Sequence, residues 1–181
     1  TAKSAMAFAE AEFIKARGLY KKIDCVIAPS EFMKDKLIEG GFTSRQVLYM
    51  QNFAKEDVLI HAKSPVDNTD REHPYLLFFG RLSKEKGVDV LIDAFADAIA
   101  DLPSNLRLVI AGDGPERASL DEKIASLSVT VSRRIELVGF KSGEDLKQCV
   151  EGASLAIVSS QWRENMPYSI VEAFALGTPV I

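Results

Sequence analysis

Two pairs of charged residues have the types and the spacing for chemistry on an anion or a sugar. Arg81 and Lys86 lie in a basic loop that follows an apolar segment. A guanidinium can grip an anion with two parallel hydrogen bonds and an ammonium can act as a point charge, so both cations could converge on one anion. Glu164 and Glu172 lie eight positions apart, on either side of Pro167.

Taken alone, each pair also fits an ordinary surface without function. Loops commonly carry solvated cations, and the segment 80–87 by itself favours that interpretation. Glutamates usually lie in solvent, so the eight-residue spacing does not by itself favour a function. The significance of both pairs therefore depends on the elements that position them.

A helix after Pro167 would position the two glutamates. If Pro167 is the first helical residue, the predicted buried stripe is Ile170, Val171 and Phe174. Glu164 then faces the crevice at the end of the preceding strand, and Glu172 reaches the crevice from the helix. Free amides at the start of that helix would favour an anion or a sugar hydroxyl.

The Gly-Asp-Gly turn at 112–114 is a third candidate. It follows an apolar strand, and Pro115 suits the first position of a helix. A dinucleotide-binding fingerprint would need a third small residue where the chain has Arg117, so the motif is weak evidence. The glycines either make a tight strand-to-helix turn or let a ligand pass close over Gly112.

Short apolar segments alternate with amphipathic segments along the chain. The predicted strands are 25–28, 46–50, 76–79, 106–111, 135–138 and 155–158, with another beginning at 180. The predicted helices are 5–22, 30–39, 88–102, 115–127 and 142–151. This alternation predicts an α/β fold, with a Rossmann-like parallel sheet covered by helices on both faces. Ligands of such sheets lie outside the carboxyl ends of the strands, where the candidate loops fall.

Composition excludes several classes of function. With 47% hydrophobic and 27% charged residues, the chain is typical of a globular protein, and its net charge of −4 gives no general reason to bind nucleic acid. The two cysteines and two histidines lack metal-ligand spacing, so no zinc site is expected. No apolar run approaches the length of a membrane span. We expect a cytoplasmic protein with reduced thiols.

A polar, unpatterned segment at 54–73 predicts a linker between residues 1–53 and 74–181. The part before it is too short for an independent doubly wound domain. Because the chain lacks an initial Met and stops at the start of a strand, we expect it to be a piece of a longer protein.

Four segments, in this order, resemble the C-terminal half of retaining GT-B glycosyltransferases of glycosyltransferase family 4, also called group 1. They are 79–87, 108–115, 135–140 and 164–181. Residues 24–32 and 47–53 are similar to the last strand, helix and crossover of the family's acceptor domain. The resemblance implies that residues 1–53 are the C-terminal portion of the N-terminal acceptor domain. It also implies that residues 74–181 are a truncated nucleotide-sugar donor-binding domain.

Where residues match the family's motifs, the resemblance implies their roles. Arg81 and Lys86 match the pair that holds the donor diphosphate, and Glu172 matches the glutamate that binds the ribose hydroxyls. Glu164 matches the first glutamate of the E-x7-E motif, near the transferred sugar. The implied catalytic residues are Glu164, Arg81 and Lys86. The other implied donor-binding residues are Gly80, Gly112, Phe140, Lys141, Asn165 and Met166.

Two of these roles, the nucleobase contact and the backbone contact to the donor, rest on less direct matches to the family's motifs. Phe140 and Lys141 fall where the family usually meets the nucleobase. Many relatives have a glycine where Pro167 stands, so Asn165 or Met166 would have to supply the backbone contact to the donor. The resemblance implies no metal and no cofactor, only a UDP- or GDP-sugar as the donor substrate.

The implied reaction is transfer of a hexosyl group to a hydroxyl acceptor with retention, in the synthesis of a cell-surface polysaccharide or glycolipid. The implied partners are the donor and a sugar or lipid-linked acceptor, with no nucleic acid. Peripheral membrane association of the full-length protein through its N-terminal domain is a further expectation. The isolated chain is expected to be inactive, because the cleft needs both domains. Two alternatives stay open: another GT-B enzyme, such as a sugar-nucleotide epimerase or a phosphorylase, and a non-catalytic module that binds a sugar nucleotide or a protein.

Overall fold

The computed structural model describes residues 2–54 and 73–181. The chain divides into two compact units, Thr1–Asn52 and Phe53–Ile181. The predicted linker at 54–73 falls almost wholly outside the described residues. The assignment of the first unit to an acceptor domain stays a prediction.

The first unit contains a two-stranded parallel sheet. Its elements are α1 (Ala2–Ala16), a 3-10 helix (Leu19–Lys22), β1 (Val26–Ala28), α2 (Glu31–Glu39) and β2 (Val47–Tyr49). The predicted helix 5–22 is divided, because Gly18 follows α1 and glycine readily ends a helix. The predicted start of α2 is confirmed, since the Ser30 hydroxyl accepts a hydrogen bond from the Met33 amide at 3.1 Å.

The second unit alternates strands and helices as predicted. Its strands are β3 (Tyr75–Phe79), β4 (Arg107–Ala111), β5 (Ile135–Gly139) and β6 (Leu155–Ala156). Its helices are a 3-10 helix (Lys84–Lys86), α3 (Val88–Asp97), α4 (Arg117–Ser126), α5 (Val129–Ser132), α6 (Gly143–Glu151) and α7 (Tyr168–Ala175). The strands form a parallel sheet in the order β5-β4-β3-β6, and Val180 makes a parallel bridge to Ala156.

Helices cover both faces of the central strands, which confirms the predicted fold class. Successive strand side chains point to opposite faces. One face packs with α3 and α4 in a cluster that includes Phe78, Leu108, Ile110, Ile92 and Leu120. The other packs with α6 and α7 in a cluster that includes Leu77, Phe79, Val109, Val150 and Ala173. Burial on both faces explains why these strands are continuous apolar runs.

The two helices that were predicted to open at a proline begin later. Pro167 is the N-cap of α7, with φ −63° and ψ 137°, so Tyr168 and not Pro167 is the first helical residue. Glu116 is the N-cap of α4, so Pro115 precedes that helix instead of opening it. In both places the proline shapes the approach to the helix, where its fixed φ still fits.

The predicted buried stripe of α7 is wrong at Phe174, whereas Ile170 and Val171 are half-buried. Ala173 is the buried residue of the helix, while Phe174 is 63% exposed. The cluster beneath α7 also contains the small residues Ala153 and Ala156. Small side chains on α7 and in the cluster beneath it allow close packing, so α7 turns Ala173 and not Phe174 toward the sheet. Within the described ranges, no helix has both the length and the apolar character needed to cross a bilayer.

Candidate functional site

A cleft of about 730 Å³ lies at the carboxyl edge of the four-stranded sheet. Parallel strands end at the same edge, so segments that are distant in the chain meet there. Each strand is followed by residues that line the cleft, and these are Gly80 and Arg81, Gly112 and Asp113, Phe140 and Lys141, and Ser160 and Glu164. The start of α7 closes the cleft with Tyr168, Ser169 and Glu172.

The structure brings eight of the ten predicted site residues to this cleft. They are Gly80, Arg81, Lys86, Gly112, Phe140, Lys141, Glu164 and Glu172. Asn165 and Met166 are not among the residues that line it, whereas Pro167 is. Met166 adopts the left-handed conformation, with φ 54°, which is uncommon for a residue with a side chain.

Lys86 and Glu164 form an ion pair in the cleft. Lys86 Nζ lies 2.6 Å from Glu164 Oε1, and their side chains are only 24% and 19% exposed. The Ser160 hydroxyl donates to the same Oε1. Burial opposes ionisation of Glu164, but the hydrogen bonds from Lys86 and Ser160 outweigh it, so the pKa of Glu164 lies below its ordinary value. Glu164 is therefore a carboxylate at neutral pH.

Buried and hydrogen-bonded residues hold the loop that follows β3. Leu82 is fully buried, and its amide donates to the carbonyl oxygen of Asp113 at 2.9 Å. The Ser83 hydroxyl donates to Glu85 Oε1 at 2.6 Å, and this hydrogen bond is the main cause that lowers the pKa of Glu85. Arg81 in the same loop is exposed at the cleft. The loop thus presents its guanidinium from a fixed backbone.

The end of this loop touches the segment after β6. A Cβ on Gly87 would lie 2.3 Å from the carbonyl oxygen of Ser159, so a larger residue would force the two backbones apart. The Ser159 hydroxyl donates to the carbonyl oxygen of Lys86 at 2.8 Å. The Gln161 amide donates to the carbonyl oxygen of Glu85, also at 2.8 Å. Backbone contacts between the two loops therefore set the position of Lys86.

Close packing of the backbone requires the two glycines of the Gly-Asp-Gly turn. A Cβ on Gly112 would lie 1.9 Å from the carbonyl oxygen of Gly80, and one on Gly114 would lie 2.2 Å from that of Leu82. These contacts favour the tight-turn interpretation of the glycines. Gly112 also lines the cleft, so the interpretation in which a ligand passes over it stays open.

Several cleft residues were not among the predicted site residues. They include Asp113, Leu146, Ser160, Tyr168 and Ser169. Ser160 could have been found, because it follows β6 just as Arg81 follows β3. Leu146 lies inside α6, where its apolar side chain matches an ordinary helix stripe, and no sequence signal separates it from core residues.

The described residues contain no group of three His, Cys, Asp or Glu side chains that could hold a metal ion. The cleft offers cations at Arg81, Lys86 and Lys141. Such groups can neutralise a bound anion through hydrogen bonds and charge alone. That the reaction needs no metal stays a prediction.

A parallel α/β sheet with a ligand cleft at its carboxyl edge is typical of nucleotide-binding domains. The family model of the glycosyl transferases group 1 matches residues 60–181. The chain therefore belongs to the group 1 glycosyltransferases.

Two curated relatives and one solved structure illustrate the match. An uncharacterized glycosyltransferase from Methanocaldococcus jannaschii is 35% identical over 108 residues, which cover 59% of this chain and 26% of the relative. The alpha-monoglucosyldiacylglycerol synthase of Streptococcus pneumoniae is 28% identical over 174 residues, 91% of this chain and 38% of the relative. The crystal structure of Anabaena HepE in complex with UDP-glucose superposes with a TM-score of 0.70 at 25% identity, covering 87% of this chain and 44% of HepE. The chain thus spans less than half of each.

Proposed function

We propose that the cleft binds a UDP- or GDP-sugar and that the protein transfers its hexosyl group to a hydroxyl acceptor with retention, as a member of glycosyltransferase family 4. One observation carries this proposal: Arg81 and Lys86 line the same cleft as Glu164 and Glu172. Two cations suit a diphosphate, and two carboxylates suit sugar hydroxyls. The structural similarity to HepE in complex with UDP-glucose supports the same ligand class.

The order of the strands suggests how the donor lies in the cleft. The sheet runs β5-β4-β3-β6, so Phe140 and Lys141 lie beyond one edge strand and Glu164 beyond the other. The loop with Arg81 and Lys86 follows β3, one of the two strands that lie between them. In our proposal the base therefore lies near Phe140, the diphosphate at the two cations, and the sugar near Glu164. Glu172 binds the ribose from α7.

The cations would contribute to catalysis as well as to binding. When the bond to the transferred sugar breaks, negative charge develops on the leaving nucleoside diphosphate. Arg81 and Lys86 are already in place to stabilise that charge, so little reorganisation is needed. Glu164, ionised beside Lys86, would orient the sugar and oppose the positive charge that develops on it.

The proposal extends to the whole enzyme. The chain spans 38% of the Streptococcus synthase, and a cleft that holds donor and acceptor together requires a further wall. We therefore propose that the 181-residue chain alone binds donor but transfers little or no sugar. The name of that synthase favours a lipid-linked acceptor in cell-surface glycolipid or polysaccharide synthesis. The proposed enzyme acts in the cytoplasm, at the membrane surface through its acceptor domain.

Calorimetry on the chain tests whether Arg81 and Lys86 together bind the donor diphosphate, an arrangement we call the diphosphate clamp. UDP-glucose and GDP-mannose serve as donors, and we expect Arg81→Ala and Lys86→Ala each to weaken binding of the preferred donor about 10-fold or more, the cost of losing a charged hydrogen bond. Lys84→Ala is the matched control, since Lys84 is exposed in the same loop but is not among the cleft-lining residues. Unchanged affinity in both cleft variants would rule out the clamp.

Transfer is tested on the full-length protein. We expect sugar transfer to a hydroxyl acceptor, with the anomeric configuration of the donor retained in the product, as read by NMR of the anomeric proton. An inverted product would contradict the proposed mechanism. Donor binding without transfer to any acceptor in a panel would favour the non-catalytic module instead.

A further inference from the structure

Two adjacent serines that follow β6 each hydrogen-bond to one residue of the Lys86–Glu164 ion pair. The Ser159 hydroxyl donates to the backbone carbonyl oxygen of Lys86 at 2.8 Å. The Ser160 hydroxyl donates to the side-chain Oε1 of Glu164. Both serines are half-buried, and the pair they serve joins residues separated by 78 positions in the chain.

Ser160 restrains the Glu164 carboxylate. Oε1 accepts from the Ser160 hydroxyl and from Lys86 Nζ at the same time. An oxygen with two donors has few alternative orientations, because rotation of the carboxylate would break both hydrogen bonds. The Trp162 side chain also helps to lower the pKa of Glu164.

Ser159 restrains the backbone from which the Lys86 side chain extends. Lys86 ends the short 3-10 helix, and Gly87 after it lies directly against the Ser159 carbonyl. The Ser159 hydroxyl and the Gln161 amide together tie two successive carbonyl oxygens of that helix, those of Lys86 and Glu85. A lysine side chain has many rotamers. A fixed backbone reduces the number of conformations in which the Lys86 ammonium lies away from Glu164.

We infer that Ser160 is a positioning residue for Glu164 and that Ser159 is a positioning residue for Lys86, so that the two adjacent serines hold the donor-facing ion pair in place. The inference rests on the proposed function, because it takes Lys86 as the diphosphate cation and Glu164 as the sugar-facing carboxylate. It assigns the serines separate tasks. Ser160 serves the sugar end of the cleft, and Ser159 serves the diphosphate.

The first test follows the Glu164 carboxyl by carbon NMR during a pH titration of the chain. In Ser160→Ala we expect the pKa of Glu164 to rise toward its ordinary value, because a hydrogen bond to the charged form is lost. Ser160→Thr keeps the hydroxyl and should restore the wild-type pKa. The other charged groups that line the cleft are unchanged in both variants, namely Arg81, Lys86, Asp113, Lys141 and Glu172. An unchanged pKa in Ser160→Ala overturns the role of Ser160.

The second test measures binding of UDP and of UDP-glucose, which differ by the sugar. Ser160→Ala should weaken UDP-glucose about fivefold and leave UDP unchanged, whereas Ser159→Ala should weaken both by a similar factor. If Ser159→Ala leaves both affinities unchanged, or if both variants lose UDP and UDP-glucose equally, the division of tasks is wrong. A wild-type chain that binds neither of these ligands, and neither GDP nor GDP-mannose, refutes the proposed function instead, and the NMR titration still decides the role of Ser160.

Discussion

Lys86 and Glu164 are 78 positions apart in the chain, yet Nζ and Oε1 lie 2.6 Å apart in the cleft. The contact joins the loop after β3 to the loop after β6, which are neighbouring strands in the sheet. It couples the two residue pairs whose chemistry the sequence suggested separately. A cation suited to phosphate and a carboxylate suited to a sugar thereby form one unit.

The ion pair makes the folding stability depend on pH in the acid range. The pKa of Glu164 is lowered in the folded chain, so its contribution is complete above the ordinary glutamate pKa. As the pH falls, the unfolded chain takes up the proton first, and the contribution is lost as the pH passes through the lowered folded pKa. We expect this loss to be about 1 kcal/mol, the size of one net hydrogen bond.

Urea unfolding at a series of pH values, for wild type and Glu164→Gln, measures this contribution. The free energy of unfolding of Glu164→Gln should fall less steeply between neutral and acid pH. Glu122→Gln, at an exposed position of α4, is the control and should follow the wild type. Parallel curves for wild type and Glu164→Gln would contradict the prediction.

The contact between Gly112 and Gly80 predicts a strongly destabilising substitution. Gly112→Ala would place a Cβ 1.9 Å from the Gly80 carbonyl oxygen, and the obstacle is backbone that cannot rotate away. We expect a loss of about 1–3 kcal/mol in the free energy of unfolding, as for other overpacked sites. Because Gly80 begins the loop with Arg81, we also expect weaker donor binding.

Gly143→Ala is the matched control for Gly112→Ala. Gly143 has a φ of 56°, but a Cβ there meets no heavy atom within 4 Å, so only the backbone conformation is strained. We expect it to cost about 1 kcal/mol and to leave donor binding unchanged. Chemical denaturation of both variants decides the matter, and a loss in Gly112→Ala no larger than in Gly143→Ala would disprove the steric explanation.

Glu172 predicts a preference for ribose over deoxyribose. If its carboxylate binds a ribose hydroxyl, wild type should bind UDP about 10-fold more tightly than 2′-deoxy-UDP or 3′-deoxy-UDP, the size of a charged hydrogen bond. In Glu172→Ala that preference should disappear, whereas Glu122→Ala should keep it. Calorimetry with the three nucleotides measures both ratios. A preference that survives in Glu172→Ala would move the ribose contact to another residue.

The sheet and its helices were largely predictable from local patterns. Continuous apolar runs such as Leu76–Phe79 predicted strands buried on both faces, and Ser30 predicted the start of α2; both are confirmed. Hydrophobic periodicity and helix capping involve residues only a few positions apart, so both can be recognised in the amino-acid sequence. The family motifs are also local, and their order along the chain predicted the family.

The orientation of α7 was not predictable in the same way. Its pattern favoured a buried Phe174, but the structure exposes Phe174 and buries Ala173 in the cluster that also contains Ala153 and Ala156. Hydrophobicity indicates which side chains gain most from burial, whereas the shape of the opposing surface decides which of them fits. That surface is made by residues far away in the chain.

The sequence by itself determined the fold class and the family, and eight of the ten site residues predicted from it line the cleft. Only the tertiary structure decided that Lys86 pairs with Glu164, that Ser160 holds the same carboxylate oxygen, and that Gly112 lies against Gly80. The physical reason is the range of the interactions. Strand and helix patterns repeat within a few residues, but these contacts depend on which strands become neighbours in the sheet.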